Sequence, residues 1–138
     1  MLYNNNLIVI YGKPATNKSS LGVSLLNSSN KNACYLNIEG NNHLDINDNI
    51  KVIRDNINSD LVIKCLQEYD VVLIDYLELL DINKEQLMKL KEIAKDNNNK
   101  TLITISCCSS SDDLLNNHYE DFKSISDLLI TVDKKNQW

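Results

Sequence analysis

Leu7-Ile8-Val9-Ile10-Tyr11-Gly12-Lys13-Pro14-Ala15-Thr16-Asn17-Lys18-Ser19-Ser20 is the stretch on which the fold turns. An apolar run of strand type ends in Gly12. Four residues, Asn17 and Lys18-Ser19 follow, and a helical pattern (Leu21, Val23, Leu25, Leu26) starts at once. This is the strand–loop–helix layout of a phosphate-binding loop, G-x-x-x-x-G-K-[ST], with Asn17 in place of the second glycine. Backbone N–H groups in such a loop curl round a phosphate at the positive end of a helix. Gly12, Lys13, Pro14, Ala15, Thr16, Asn17, Lys18, Ser19 and Ser20 are the expected nucleotide contacts. Lys18 would supply a cation to the outer phosphates, and the Ser19 hydroxyl a hard oxygen ligand for Mg²⁺. Asn is one of the best tolerated non-glycine residues in the left-handed region, so Asn17 is expected to keep the shape of the loop. The alternative reading is an ordinary strand-to-helix turn with a serine at the helix start.

Outward from this loop, five β-branched apolar runs read as strands at 7–11, 33–38, 70–75, 101–106 and 127–132, with a shorter sixth at 50–54. Helical patterns lie at 18–28, 59–68, 83–96 and 112–123. Ser59 and Asp60 are expected to cap the second helix. Asn83 and Gln86 have capping-box spacing at the third. Strands alternating with helices predict an α/β fold, a mostly parallel sheet covered on both faces. No internal repeat or linker interrupts the pattern, so residues 1–138 are read as a single domain.

Tyr69-Asp70-Val71-Val72-Leu73-Ile74-Asp75 is the second chemical element. Four buried-type residues end in an Asp at the C-terminal tip of a strand, where open α/β sheets bind ligands. Asp75 would hold the Mg²⁺ water shell opposite Ser19. Glu39, ending Cys34-Tyr35-Leu36-Asn37-Ile38-Glu39, is the candidate that polarises a water against the γ-phosphate. The predicted catalytic set is thus Glu39, Lys18 and Asp75, with Ser19 and Asp75 as metal-site residues and ATP with Mg²⁺ as cofactors. For Asp75 and Glu39 alike, a polar residue that merely ends a strand is the competing explanation.

Composition narrows the classes. The net charge is −5 and Arg54 is the only arginine, which argues against a strongly basic nucleic-acid footprint. A small phosphoryl-transfer kinase, which needs several arginines to clamp two substrates, is disfavoured for the same reason. The four cysteines lack C-x-x-C spacing, so a reduced, cytoplasmic setting is expected. No apolar run approaches the ~20 residues of a membrane helix, and no secretory signal is expected. The abundance of Asn is read as codon bias, with the triplet Asn97-Asn98-Asn99 as a loop.

With these elements in place the chain resembles the RecA-like ATPases, most closely the ATPase domain of DnaB-type replicative helicases. Gly12 to Ser19 resembles that family's G-x-P-x-x-G-K-[TS], the proline included. Val72-Leu73-Ile74-Asp75-Tyr76-Leu77-Glu78-Leu79-Leu80 is similar to its Walker B segment, and Ser126-Asp127-Leu128-Leu129-Ile130-Thr131-Val132 to its A-D-x-V-L-x-L strand. The resemblance implies a three-layer α/β/α RecA-like fold, with the five main strands in the order 2-3-4-1-5. It also implies a catalytic glutamate at Glu39. Three departures stand out. Cys107 replaces the sensor glutamine after Ser106, and Asn17 replaces the second loop glycine. Ser109-Ser110-Ser111-Asp112-Asp113, where the family places a DNA-contacting loop, carries no basic residue. For the family's arginine finger only Arg54 or a lysine such as Lys134 or Lys135 could substitute here, and lysine lacks the fork geometry of arginine.

Two functions follow as expectations. One is a minimal Mg²⁺-dependent ATPase of weak activity in DNA replication or recombination of a virus or mobile element. Its arginine finger would come from a homo-oligomer neighbour or a helicase or recombinase partner, and single-stranded DNA is a possible ligand. The other is a degenerate, non-hydrolysing module that docks on and regulates a helicase or recombinase.

Overall fold

A computed structural model describes residues 5–12, 17–38, 45–75, 77–107 and 117–132. The apolar run before the loop forms β1 (Leu7–Gly12), and the pattern after it forms α1 (Lys18–Ser28). There follow β2 (Ala33–Asn37), β3 (Lys51–Ile53), α2 (Ser59–Glu68), β4 (Val71–Asp75), a 3-10 turn (Leu77–Leu80), α3 (Lys84–Asp96), β5 (Thr101–Cys107), α4 (Asn117–Ile125) and β6 (Leu128–Val132). The strands form one sheet in the order β3-β2-β4-β5-β1-β6, and every pairing is parallel. The five main strands take the order expected from the resemblance. The short strand β3 adds an outer edge beyond β2.

Burial on both faces explains why the strands read as continuous apolar runs. Alternate side chains build two cores. Ile8, Ile10, Tyr35, Leu73, Ile103 and Ile105 pack under Val23, Leu25 and Leu26 of α1. Leu7, Val9, Leu36, Val72, Ile74 and Leu102 meet α2, α3 and α4 on the other side. There Phe122 of α4 sets its ring edge against Tyr11, with centroids 5.3 Å apart. Cys34 and Cys65 are free thiols with sulfurs 3.9 Å apart. Burial, then the neighbouring thiol, pushes the Cys34 thiol well above its ordinary range.

The helix starts show where local reasoning succeeds. Asn83 and Gln86 form the predicted capping box, with Asn83 Oδ1 accepting from Gln86 N at 2.8 Å and Gln86 Oε1 from Asn83 N at 2.9 Å. At α2 the cap is Asn58 rather than Ser59 or Asp60. Its extended backbone aims Oδ1 at Leu61 N, 2.9 Å away, whereas Ser59 and Asp60 are already helical. The fourth helix is described from Asn117, and the predicted start at residues 112–116 lies outside the described residues. Among the described residues, no helix is long and apolar enough to cross a membrane.

Candidate functional site

Because all strands run parallel, their C-terminal ends share one edge of the sheet. Alternation places Gly12, Asn37, Asp75 and Cys107 on the α1 side of that edge, each in line with the core residues two positions earlier. Asn37 stands opposite Asp75 in the register, and Gly12 opposite Cys107. The edge therefore gathers polar groups beneath the start of α1.

The loop residues divide into two groups. Lys13, Pro14, Ala15 and Thr16 lie outside the described residues. Gly12 and Asn17 to Ser20 frame them. A Cβ at Gly12 would collide with the Val132 carbonyl, so β6 already requires glycine here, apart from any ligand. Asn17 sits in the left-handed region, φ 60° and ψ 32°, as expected for a substitute of glycine. Its side chain makes no capping hydrogen bond to α1, and the first turn of that helix holds no acidic residue. An anion is what the positive end of the helix dipole favours there. Lys18 is the first helical residue and only 4% exposed. Ser19 is half-buried and Ser20 exposed. Gly22, one turn on, lets α1 lie close against Leu73 and Ile105, where a Cβ would stand 3.0–3.2 Å from their methyls.

Asp75 is completely buried at the tip of β4. The hydroxyl of Tyr35, itself completely buried on β2, donates to Asp75 Oδ2 at 2.6 Å. Sequence reading missed this tyrosine. The signal was present as a phenol hydroxyl on a buried-type strand, but its meaning depends on β2 lying beside β4. Glu39 and Tyr76 fall outside the described residues, as do Lys134, Lys135 and the segment Ser109 to Asp113. Ser106 is buried on β5 and points to the face opposite α1, by alternation with Ile105; Cys107 follows it, half-buried, at the α1 side. Arg54 is exposed just after β3. Four strand spacings separate β3 from β1, roughly 19 Å, beyond the reach of an arginine side chain. Arg54 is therefore no arginine finger for the loop of its own chain.

The donor set suits a Mg²⁺–nucleotide. A buried lysine at a helix start fits phosphate, and the Ser19 hydroxyl and Asp75 carboxylate are the hard oxygens Mg²⁺ takes. Lys18, Ser19 and Asp75 would hold the group.

No protein-family model matches the sequence, and no curated protein matches it. Solved structures do. A DNA replication initiation factor superposes with a TM-score of 0.50 at 12% identity, over 96% of this chain and 41% of that one. AMPPCP-bound DnaA from Aquifex aeolicus gives a TM-score of 0.50 at 12% identity, over 96% of this chain and 42% of that one. The chain thus spans about two fifths of the length of these proteins. At this identity the likeness is one of fold: the parallel six-stranded sheet with flanking helices is an α/β fold shared with these replication proteins.

Proposed function

We propose that this chain binds ATP with Mg²⁺ through residues 12–20 and Asp75, and that it is a weak ATPase acting in DNA replication or recombination. The observation that carries this is the juxtaposition at one sheet edge of Gly12, the left-handed Asn17, buried Lys18 at the start of α1, and buried Asp75 at the tip of β4. Lys18 would bind the outer phosphates, and Ser19 and Asp75 would orient the metal and its waters. Bound Mg²⁺ supplies charge neutralisation at the phosphates. Glu39, two residues beyond β2, is the proposed base for the attacking water.

The structural relatives support the process at a coarse level: one is a DNA replication initiation factor and one is a DnaA with AMPPCP bound. The finer likeness to DnaB-type helicases rests on Ile74-Asp75-Tyr76-Leu77 and the loop proline, Pro14. With Arg54 out of reach of its own loop, the arginine finger would come from a neighbouring copy or a helicase or recombinase partner. Such a finger contributes about 10³–10⁵ in rate, so the chain alone should turn over slowly. Residues 1–138 act as one nucleotide-binding unit in this reading, in a reduced cytoplasmic setting.

A second reading is favoured by Cys107, which stands beside Gly12 where the family uses a glutamine. In that reading the chain is a degenerate, non-hydrolysing module that docks on and regulates a helicase or recombinase, with any bound nucleotide purely structural. Phosphate release from Mg²⁺·ATP, with and without single-stranded DNA, separates the two. DNA-stimulated release supports the ATPase; nucleotide binding without any release supports the regulator. Absence of nucleotide binding at millimolar ATP removes the ATPase and leaves a module that acts by docking alone.

A further inference from the structure

We infer that Tyr35 is a positioning residue for the metal site, acting through Asp75; this rests on the nucleotide-binding reading above. Asp75 and Tyr35 lie on adjacent strands, paired so that Leu73 faces Tyr35 and Asp75 faces Asn37. Both side chains point to the α1 side of the sheet, where Tyr35 belongs to the apolar core. Its ring is held among aliphatic side chains and is completely buried. The ring therefore has no freedom to swing, and its hydroxyl is delivered to one place, 2.6 Å from Asp75 Oδ2.

A 2.6 Å O–H···O contact to a carboxylate is short and charge-assisted. It fixes the rotation of the carboxylate about its last torsion, which is otherwise broad. A carboxylate that must present one oxygen to the water shell of a metal gains from having the other tied to the scaffold. This is the arrangement in which outer partners orient the groups nearest a metal. A tyrosine that only filled the core would need no acceptor at this spot, and phenylalanine would serve there without a buried hydroxyl.

The test is a titration of Mg²⁺ into the 138-residue chain with fluorescent N-methylanthraniloyl-ADP, beside nucleotide affinity in EDTA. Tyr35→Phe keeps the ring and removes only the hydroxyl. The expected result is that the Mg²⁺ concentration giving half-maximal tightening rises about 10-fold or more, while affinity in EDTA stays within about twofold. In the Asp75→Asn background, Tyr35→Phe is expected to add less than about twofold, because the group it acts through has gone. Unchanged Mg²⁺ dependence in Tyr35→Phe overturns the inference. So does an equal loss with and without Mg²⁺, which marks Tyr35 as merely structural. If Tyr35→Phe fails to fold, Asp75→Asn decides alone: retained Mg²⁺ dependence there overturns the inference. Failure of the wild-type chain to bind the nucleotide at all would instead remove the reading beneath it.

Discussion

Asn17 shows how one residue can carry a conformation that another type normally supplies. The chain has only three glycines, yet among the described residues six non-glycine residues have positive φ: Asn17, Asn30, Asn56, Asp81, Asn98 and Asn99. Five of the six are asparagine, so the asparagine-rich composition read as codon bias also provides the left-handed turns. Alanine lacks the short polar side chain that eases this region, and the left-handed conformation costs it about 1–2 kcal/mol. Asn17→Ala is therefore expected to lower stability by about 1 kcal/mol in urea unfolding, while Asn17→Gly should be close to neutral. Equal stability of all three would show that the left-handed backbone at Asn17 is not maintained in solution. Thr104 presents the opposite case. Its hydroxyl is buried in the sheet with no hydrogen-bond partner among the described residues. Thr104→Val keeps the shape and removes the unsatisfied group, and is expected to stabilise by about 1 kcal/mol in the same assay.

Among the elements, β1, β6 and α3 are tied together by side chains as well as by the sheet. Asp127, just before β6, accepts from Asn6 N at 2.6 Å and Leu7 N at 3.0 Å, and meets Lys91 Nζ of α3 at 3.2 Å. Lys91 also donates to the Ile125 carbonyl at 2.7 Å, tying the end of α4 into the same knot. Burial alone would raise the Asp127 carboxyl, but the two backbone donors and Lys91 outweigh it and hold it below its usual value of 3.8. A carboxyl depressed in the folded state stabilises above its unfolded value and loses that contribution as pH falls through the folded one. Asp127→Asn should thus cost about 1–2 kcal/mol at neutral pH, and the gap to wild type should close as pH drops below about 4. Thermal melts across pH 2–7 check this; a gap that persists undiminished to the acid end would contradict the account. The family-like segment Ser126-Asp127-Leu128 acquires by this geometry a purely architectural explanation, at the sheet edge away from the candidate site.

At the scale of the whole molecule, the fold was largely legible because parallel strands buried on both faces leave uninterrupted apolar runs. All six strands and the first three helices fall within two residues of their expected positions. What pattern reading missed depends on which strands become neighbours. Tyr35 could not be tied to Asp75 before β2 was known to lie beside β4, nor Arg54 set aside before β3 was known to form the far edge. The cap at Asn58 was missed for a local reason, since Asn58, Ser59 and Asp60 are all good caps and only the backbone selects among them. Of the candidate site, Gly12, Asn17, Lys18, Ser19 and Asp75 reach the same sheet edge, while Glu39 lies beyond the described residues. The central claim is that Lys18 heads a working phosphate loop. Isothermal titration of Mg²⁺·ATP into the wild-type chain and Lys18→Ala tests it most directly, with circular dichroism to show that both are folded. The account predicts wild-type binding on the order of micromolar, and a loss in Lys18→Ala of at least about 100-fold, or ~2.8 kcal/mol. Equal affinity in the two proteins, or no heat from the wild type at millimolar ATP, would contradict it.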